Sequence, residues 1–437
     1  MASVEVATEL DRANTTGEEM MSFISGLYPI CRSITGEGVR ETLRRIAAHI
    51  PLTVTEVPSG TEVFDWVVPQ EWNINDAYIK DSSGRRVVDF KASNLHVVGY
   101  SIPVRTRVTL EKLRSHLFSL PEHPDWVPYR TSYYNQTWGF CLSDRTLGQL
   151  KEEEYEVCID SSLKDGSLTY AEFLIPGQAP EEVLISCHTC HPSLCNDNLS
   201  GIAVATFLAK ALNSMSGLRF SYRFLFIPGT IGSITWLARN LENLGKIKHG
   251  LVLANMGDPG GFVYKKSRRG NAEIDRAMAH LLSGCGEVRE FEPYGYDERQ
   301  FCSPGINLPV GCLSRTPFGE FEEYHTSADN LDFVRPEALD SSLLLCLSLV
   351  EVLEGNTRFV NLNPMCEPQL GRRGLYRTTG GQRSREDDLA LLWVLNLSDG
   401  LHDLLDVAVR SGLPFELIRR AADRLTGCGL LSPALQS

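Results

Sequence analysis

The stretch Ile185 to Gly201 reads ISCHTCHPSLCNDNLSG and lies where an apolar strand gives way to a helix. The continuous apolar run Val183–Ser186 predicts a strand buried on both faces, and the amphipathic pattern from Gly201 to about Leu212 predicts the helix that follows. Between them stand two histidines, three cysteines and an aspartate. Neutral imidazoles and carboxylates fixed at the end of a rigid element are the chemistry of a metal site. His188 follows the strand and Asp197 precedes the helix, and polar groups at a buried strand end need partners. His191, just before Pro192, either orients Asp197 or meets substrate. Cys187-x-x-Cys190 has the spacing of a structural zinc knuckle, but no second pair follows at a suitable distance, which makes that the weaker reading.

Working outward, Tyr222–Ile227 and Leu251–Asn255 are two further buried-strand runs, separated by helical patterns. Alternating strands and helices predict a mostly parallel sheet flanked by helices, whose ligand site gathers at the carboxyl ends of the strands. Asp258, beyond the third run, and His325, in Tyr324-His325-Thr326-Ser327-Ala328-Asp329-Asn330 before the last long helix (Pro336 to Leu353), map to that end. His188, Asp197, Asp258 and His325 are the expected zinc ligands. A lone histidine is more often a hydrogen-bonded structural residue, and for His325 taken alone that reading is preferred. An aspartate can bridge two ions through its two oxygens, so Asp197 would allow one zinc or two to act on a single water.

The flanks differ in character. Helices are expected near Met20–Leu27 and Val39–Ala47, then a strand at Leu52–Val57. From about Phe64 to Phe140, four of the six tryptophans gather with many tyrosines and short β-like runs (Ala77–Ile79, Val87–Phe90, Leu95–Tyr100). This predicts an inserted β-rich domain over 61–149 within a metal domain spanning 1–60 and 150–360. Its aromatics are expected to fill a small core, with Tyr133, Tyr134 and Trp138 the alternative lining of a cleft. Beyond residue 370 come three short helical patterns, Leu389–Leu395, His402–Val409 and Pro414–Leu425, in a helix-turn-helix order. Residues 386–437 hold four arginines, no lysine and eight acidic residues. DNA readers present a basic face, so this winged-helix-like unit is expected to serve interaction or homo-oligomer formation.

The 437 residues carry a net charge of −13, which disfavours nucleic acid and anionic membranes as partners. No apolar run reaches the roughly 18 residues of a membrane span. The N-terminal MASVEVATELDR lacks the apolar core of an export signal, and twelve cysteines spread over so long a chain read as reduced thiols, so a cytoplasmic location is expected.

The order of these motifs resembles the zinc aminopeptidases with two co-catalytic metals, in particular a bacterial aminopeptidase-like subgroup with an inserted β-rich domain and a C-terminal winged-helix-like domain. Cys31-Arg32-Ser33-Ile34-Thr35-Gly36, Ser186 to Pro192, Asn196-Asp197-Asn198-Leu199-Ser200-Gly201, Asp297-Glu298-Arg299-Gln300-Phe301 and Tyr324 to Ser327 carry the resemblance. It implies a mixed α/β fold, a zinc site and amide hydrolysis of a small peptide-like or amino-acid-derived substrate. One position departs from the pattern. Where the family places a general-base glutamate after the strand Tyr222–Ile227, this chain reads Pro228-Gly229-Thr230-Ile231-Gly232-Ser233. General-base catalysis contributes about 10²–10⁴-fold, so Gly229 leaves three alternatives. Another acid serves, with Glu298 and Glu323 as candidates beside Glu320 and Glu322; or Lewis-acid polarisation suffices; or the protein binds metal without hydrolysing. Arg32 and Arg299 are candidate carboxylate grips, although an arginine more often forms a surface salt bridge, and Tyr324 and His191 are candidate substrate contacts.

Overall fold

The computed structural model describes residues 16–375 and 385–434. The N-terminal MASVEVATELDR lies outside them. The chain divides into two compact units, residues 1–272 with 284–344, and residues 273–283 with 345–437.

The first unit is built on an eight-stranded mixed sheet. Its order is Thr53–Pro58, Ser167–Ile175, Ser221–Ile227, Glu182–His188, Ile247–Leu253, Val310–Ser314, Phe262–Lys265, Gly286–Arg289. The strand Glu182–His188 is buried along its whole length, as its uninterrupted apolar run requires. It pairs in parallel with Ser221–Ile227 on one side and with Ile247–Leu253 on the other. The chain leaves it through the helix Gly201–Ser214 to one neighbour, then passes through the helix Ile231–Asn240 to the opposite neighbour. Strand order therefore reverses at Glu182–His188, and such a switch point opens a crevice at the carboxyl ends. His188 is the last residue of that strand.

Within this unit, Glu71–Lys80, Arg86–Asp89, Val104–Thr109 and Glu154–Lys164 form a separate four-stranded antiparallel sheet. Ala77, Ile79, Leu110, Phe140, Tyr155 and Val157 belong to its own apolar cluster. Glu71, at its first residue, is tied to the helix Glu37–Ala47 by Arg40, whose Nη2 lies 2.6 Å from Glu71 Oε2. The run Leu95–Tyr100 is not a strand, contrary to expectation. Ser93 caps a single 3-10 turn, Asn94–His96, by accepting from the N–H of Leu95, and beyond it the chain pairs only through isolated bridges, Val97 with Phe140 and Gly99 with Thr131.

The second unit holds a three-stranded sheet, Asp399–Asp403, Arg358–Asn361 and Leu431–Pro433, with helices Arg385–Leu397, Leu404–Ser411 and Phe415–Gly427. Asp403 and Asp406 form a capping box at the second of these helices, and Gly412 at φ 69° ends it. The helix begins at Leu404, two residues later than its apolar pattern predicts, because His402 and Asp403 pair into the sheet. No helix among the described residues is long and apolar enough to cross a membrane.

Candidate metal centre

His188, His191 and Asp197 offer ligand atoms that all lie within 4.8 Å of one another, and all three residues are buried. His188 Nε2 stands 2.8 Å from Asp197 Oδ1, while His191 Nε2 stands 3.7 Å and His325 Nε2 3.1 Å from Asp197 Oδ2. Three imidazoles thus converge on one carboxylate. Ligand atoms around a tetrahedral zinc with bonds of about 2.0–2.1 Å stand about 3.4 Å apart, and these separations bracket that value. His188, His191 and Asp197 fit a zinc ion by donor type and by spacing, and His325, outside that mutual group, joins them through Asp197.

Charge fits as well. Burial pushes His191 down to about 3, so its ring is neutral near pH 7. Burial alone would raise the Asp197 carboxyl, but the surrounding His191, His188 and His325 more than compensate and hold it well below the usual carboxylate range. His188 needs one adjustment. The Asn198 amide nitrogen lies 3.2 Å from His188 Nδ1 and also donates to Leu253 O, while Asn198 Oδ1 accepts from the N–H of Asn255. That orientation places an N–H against Nδ1, so the neutral ring keeps its proton on Nε2, facing Asp197. A neutral imidazole bound to a metal through Nε2 would carry its proton on Nδ1, and the Asn198 carboxamide would then have to turn its oxygen toward it.

The loop between the two histidines and the helix is held from outside. Asp329 accepts from the N–H of Asn196 (2.6 Å) and of Asp197 (2.9 Å), one through each oxygen. Arg32 is buried, and its guanidinium donates to the carbonyls of His191 (2.7 Å), Pro192 (2.8 Å) and Leu27 (2.7 Å). This corrects the reading of Arg32 as a carboxylate grip, because the side chain is buried and each of its three nitrogens already donates to a backbone oxygen.

Asp258 lies outside the ligand group, contrary to expectation. Its Oδ1 accepts from Thr316 Oγ1 and the N–H of Gly260, and its Oδ2 from Asn196 Nδ2 and the N–H of Thr316. The carboxylate is saturated and instead braces Asn196, the neighbour of Asp197. Glu298, proposed from sequence as a proton acceptor, is fully buried, paired with Lys265 at 2.6 Å and facing the N–H of Tyr296. Those partners make it structural. Glu323 participates through its carbonyl, which accepts from the N–H and hydroxyl of Thr326. Arg299 sits on the one-turn helix Glu298–Phe301 with Nε buried and without a hydrogen-bond partner. Tyr324 stacks on His325, ring centroids 3.9 Å apart, and so backs that imidazole.

At Gly229 the structure explains the missing side chain. A Cβ there would stand 2.0 Å from Tyr296 Oη. The Tyr296 ring is stacked between His188 (3.7 Å) and Phe318 (5.3 Å), and its hydroxyl lies 3.2 Å from Cys190 Sγ. Cys190 also accepts from the N–H of Gly229 and neighbours His191 Nδ1, so this cysteine is part of the site's wiring. Asp297 grips the next amide: its Oδ1 accepts from the N–H of Thr230 (2.7 Å) and from Ser233 Oγ (2.8 Å). Its Oδ2 is buried without a partner, and burial pushes the carboxyl up to about 6.

Sequence reading missed Asp329, Tyr296 and Tyr129. Asp329 had a signal, standing four residues after His325 where an outer-shell carboxylate would brace a metal loop. Tyr129 had none, since it arrives from the inserted sheet.

A family model described as a domain of unknown function (DUF4910) matches residues 21–356, and a winged helix-turn-helix model matches residues 357–433. A Clostridium acetobutylicum protein named "putative polysaccharide biosynthesis protein with aminopeptidase-like domain" is 51% identical over 431 residues, covering 98% of this chain and 99% of its own. The crystal structure of a "putative peptidase" from Clostridium acetobutylicum superposes with a TM-score of 0.94 at 50% identity, covering 99% of this chain and 100% of that one. A zinc aminopeptidase from Bacillus subtilis shares the fold at a TM-score of 0.57 and 14% identity, over 77% of this chain and 95% of its own.

Proposed function

The chain belongs to the DUF4910 family, and from that premise we propose that it is a zinc-dependent, aminopeptidase-like hydrolase acting on an amide bond of a small peptide-like or amino-acid-derived molecule. The observation that supports this most is the convergence of His188, His191 and His325 on the buried Asp197 carboxylate at the switch point of the sheet. These four residues would hold the metal, and zinc in such a set supplies Lewis-acid polarisation of an amide carbonyl and acidification of a water.

The remaining work belongs to the chain. Asp329, Arg32 and Asp258 fix the loop that presents His191 and Asp197. The acid that stands in for the absent side chain at 229 is Asp297, bonded to the adjacent amide, with a free carboxylate oxygen and a proton affinity suited to neutral pH. The name of the Clostridium relative associates that protein with polysaccharide biosynthesis, which favours a small or sugar-linked amide over a protein substrate here.

Metal analysis and hydrolysis of amino-acid p-nitroanilides test the reading together. Zinc should copurify and be lost from His188→Ala. Asp297→Asn should keep the zinc and lose at least about 10²-fold in kcat. Zinc-free protein, or full activity in Asp297→Asn, contradicts it.

A second reading, that the centre binds its ligand without hydrolysis, is favoured by the Tyr296 phenol in the space a side chain at 229 would need. In that case the protein is inert, and Gly229→Glu combined with Tyr296→Ala creates activity. Activity in the unaltered protein removes this alternative. We further propose that the winged-helix unit serves assembly. On its helix Phe415–Gly427, Arg419 pairs with Glu351 and Arg420 lies 3.7 Å from Glu416, so two of the helix's three arginines face acidic partners.

A further inference from the structure

The inserted sheet carries a long connection, residues 119–139, between the short strands Leu117–Phe118 and Phe140–Cys141. Connections of that length without secondary structure of their own are uncommon in compact domains and often functional. Here the middle of the connection is sewn to the loop that carries His325. The N–H of Tyr129 donates to the His325 carbonyl at 2.7 Å, the N–H of Ser327 donates to Val127 O at 2.8 Å, and Ser327 Oγ accepts from the N–H of Val127 at 2.9 Å. Pro128 and Thr326 form an antiparallel bridge. On its other side the same stretch is anchored to the segment that follows the turn Asn94–His96, through Gly99 N–H to Arg130 O and Ser132 N–H to Gly99 O.

Side chains complete the enclosure. The Tyr129 ring stands 5.3 Å from His191 and meets His325 edge-on at 5.0 Å. Its hydroxyl lies 3.2 Å from that of Tyr133, whose ring packs edge-on against Tyr100. Tyr133 has φ 40°, a backbone conformation a bulky residue adopts only when its surroundings impose it. One phenol, Tyr129, is thus fixed beside two imidazoles of the centre, and the second, Tyr133, stands behind it at hydrogen-bond distance. The two hydroxyls bond to each other and that of Tyr133 also meets Thr131, which leaves the Tyr129 oxygen with capacity for a further partner.

We propose that the stretch Trp126–Tyr134 is the roof of the metal centre, and that Tyr129 and Tyr133 are its specificity-determining residues, selecting a compact molecule with one polar acyl group over an extended polypeptide. This rests on the metal-centre reading above and deepens it by naming the ligand class. A backbone bridged at residues 127–128 to residues 326–327 blocks an extended chain from passing over His325. The phenol pair offers a donor and acceptors to a short polar group in the same place.

The test uses the full-length protein after zinc loading and two probes, glycine hydroxamate and a tetrapeptide hydroxamate ending in glycine, with binding measured by calorimetry. The single-residue probe should bind at least about 10-fold tighter than the tetrapeptide probe. Tyr129→Phe and Tyr133→Phe should each weaken it by about 3- to 10-fold at unchanged zinc content, the effect of one lost hydrogen bond. Tyr129→Ala should narrow the preference between the probes, again with zinc retained. Equal affinities for the two probes, or a preference untouched by Tyr129→Ala, overturn the proposal while leaving the metal centre standing. A protein that takes up no zinc overturns both.

Discussion

Two neighbouring strands of the same sheet end side by side, His188 opposite Ile227, yet the loops that follow them differ in almost every respect. After His188 come two ligand-bearing positions and a backbone gripped by Asp329 and Arg32. After Ile227 come Pro228, Gly229 and Thr230, with no ligand, and a phenol from Tyr296 occupying the place of a side chain. The parallel sheet gives both loops the same address. Chemistry at that address depends on individual side chains and on what holds them, so a peptidase scaffold can keep one half of its machinery without the other.

Breaking the first loop should cost most. Replacing His188 or Asp197 by alanine would remove a donor from the proposed set and should lower zinc affinity by more than about 100-fold, since even outer-shell losses reach 10–100-fold; metal content by mass spectrometry reads this directly. Removing the outer grip is a milder version of the same break. Arg32→Met leaves three buried carbonyls without their charged donor and should destabilise the fold by about 3 kcal/mol, read from the urea midpoint.

The second loop should respond in the opposite sense, to addition. Gly229→Ala drives a methyl into Tyr296, which His188 and Phe318 hold in place, and should cost about 1–3 kcal/mol. In a Tyr296→Ala background most of that cost should vanish, a coupling that a double-mutant cycle measures.

A control away from both loops sharpens the contrast. Glu71 is held down to about 2, chiefly by hydrogen bonds from Arg40, against the opposing effect of burial. Its folded-state affinity for protons is below that of the unfolded chain. Its contribution is therefore present above about pH 4.5 and lost as pH falls toward 2. Discounted for solvent, this amounts to about 2 kcal/mol. Glu71→Gln should flatten that acid limb of the stability profile and leave zinc binding unchanged.

Much of this was legible in the chain because it depends on local pattern. The buried runs at 183–186 and 222–227 read as strands since nothing polar interrupts them, and Asp-Asn-Leu-Ser-Gly before a helix marks a strand-end loop. Asp258 was misplaced because sequence shows that a carboxylate lies near a strand end but not what surrounds it; Thr316, Gly260 and Asn196 use up its lone pairs from three other positions. Arg32 was misread for the same reason, since backbone carbonyls are invisible as partners until the chain folds. His191 was left between two roles, and the structure places it within ligand distance of both His188 and Asp197. Tyr129 could not be found from spacing, because its position is set by a connection in a different sheet.

The distance along the chain between Asp197 and His325 has a consequence of its own. They face each other at 3.1 Å across 128 residues. At a synthesis rate of roughly 5–20 residues per second, His325 leaves the ribosome about 6–26 s after Asp197. During that interval His188, His191 and Asp197 are in the nascent chain without His325. A metal that required His325 would therefore be captured only after most of the polypeptide had been made.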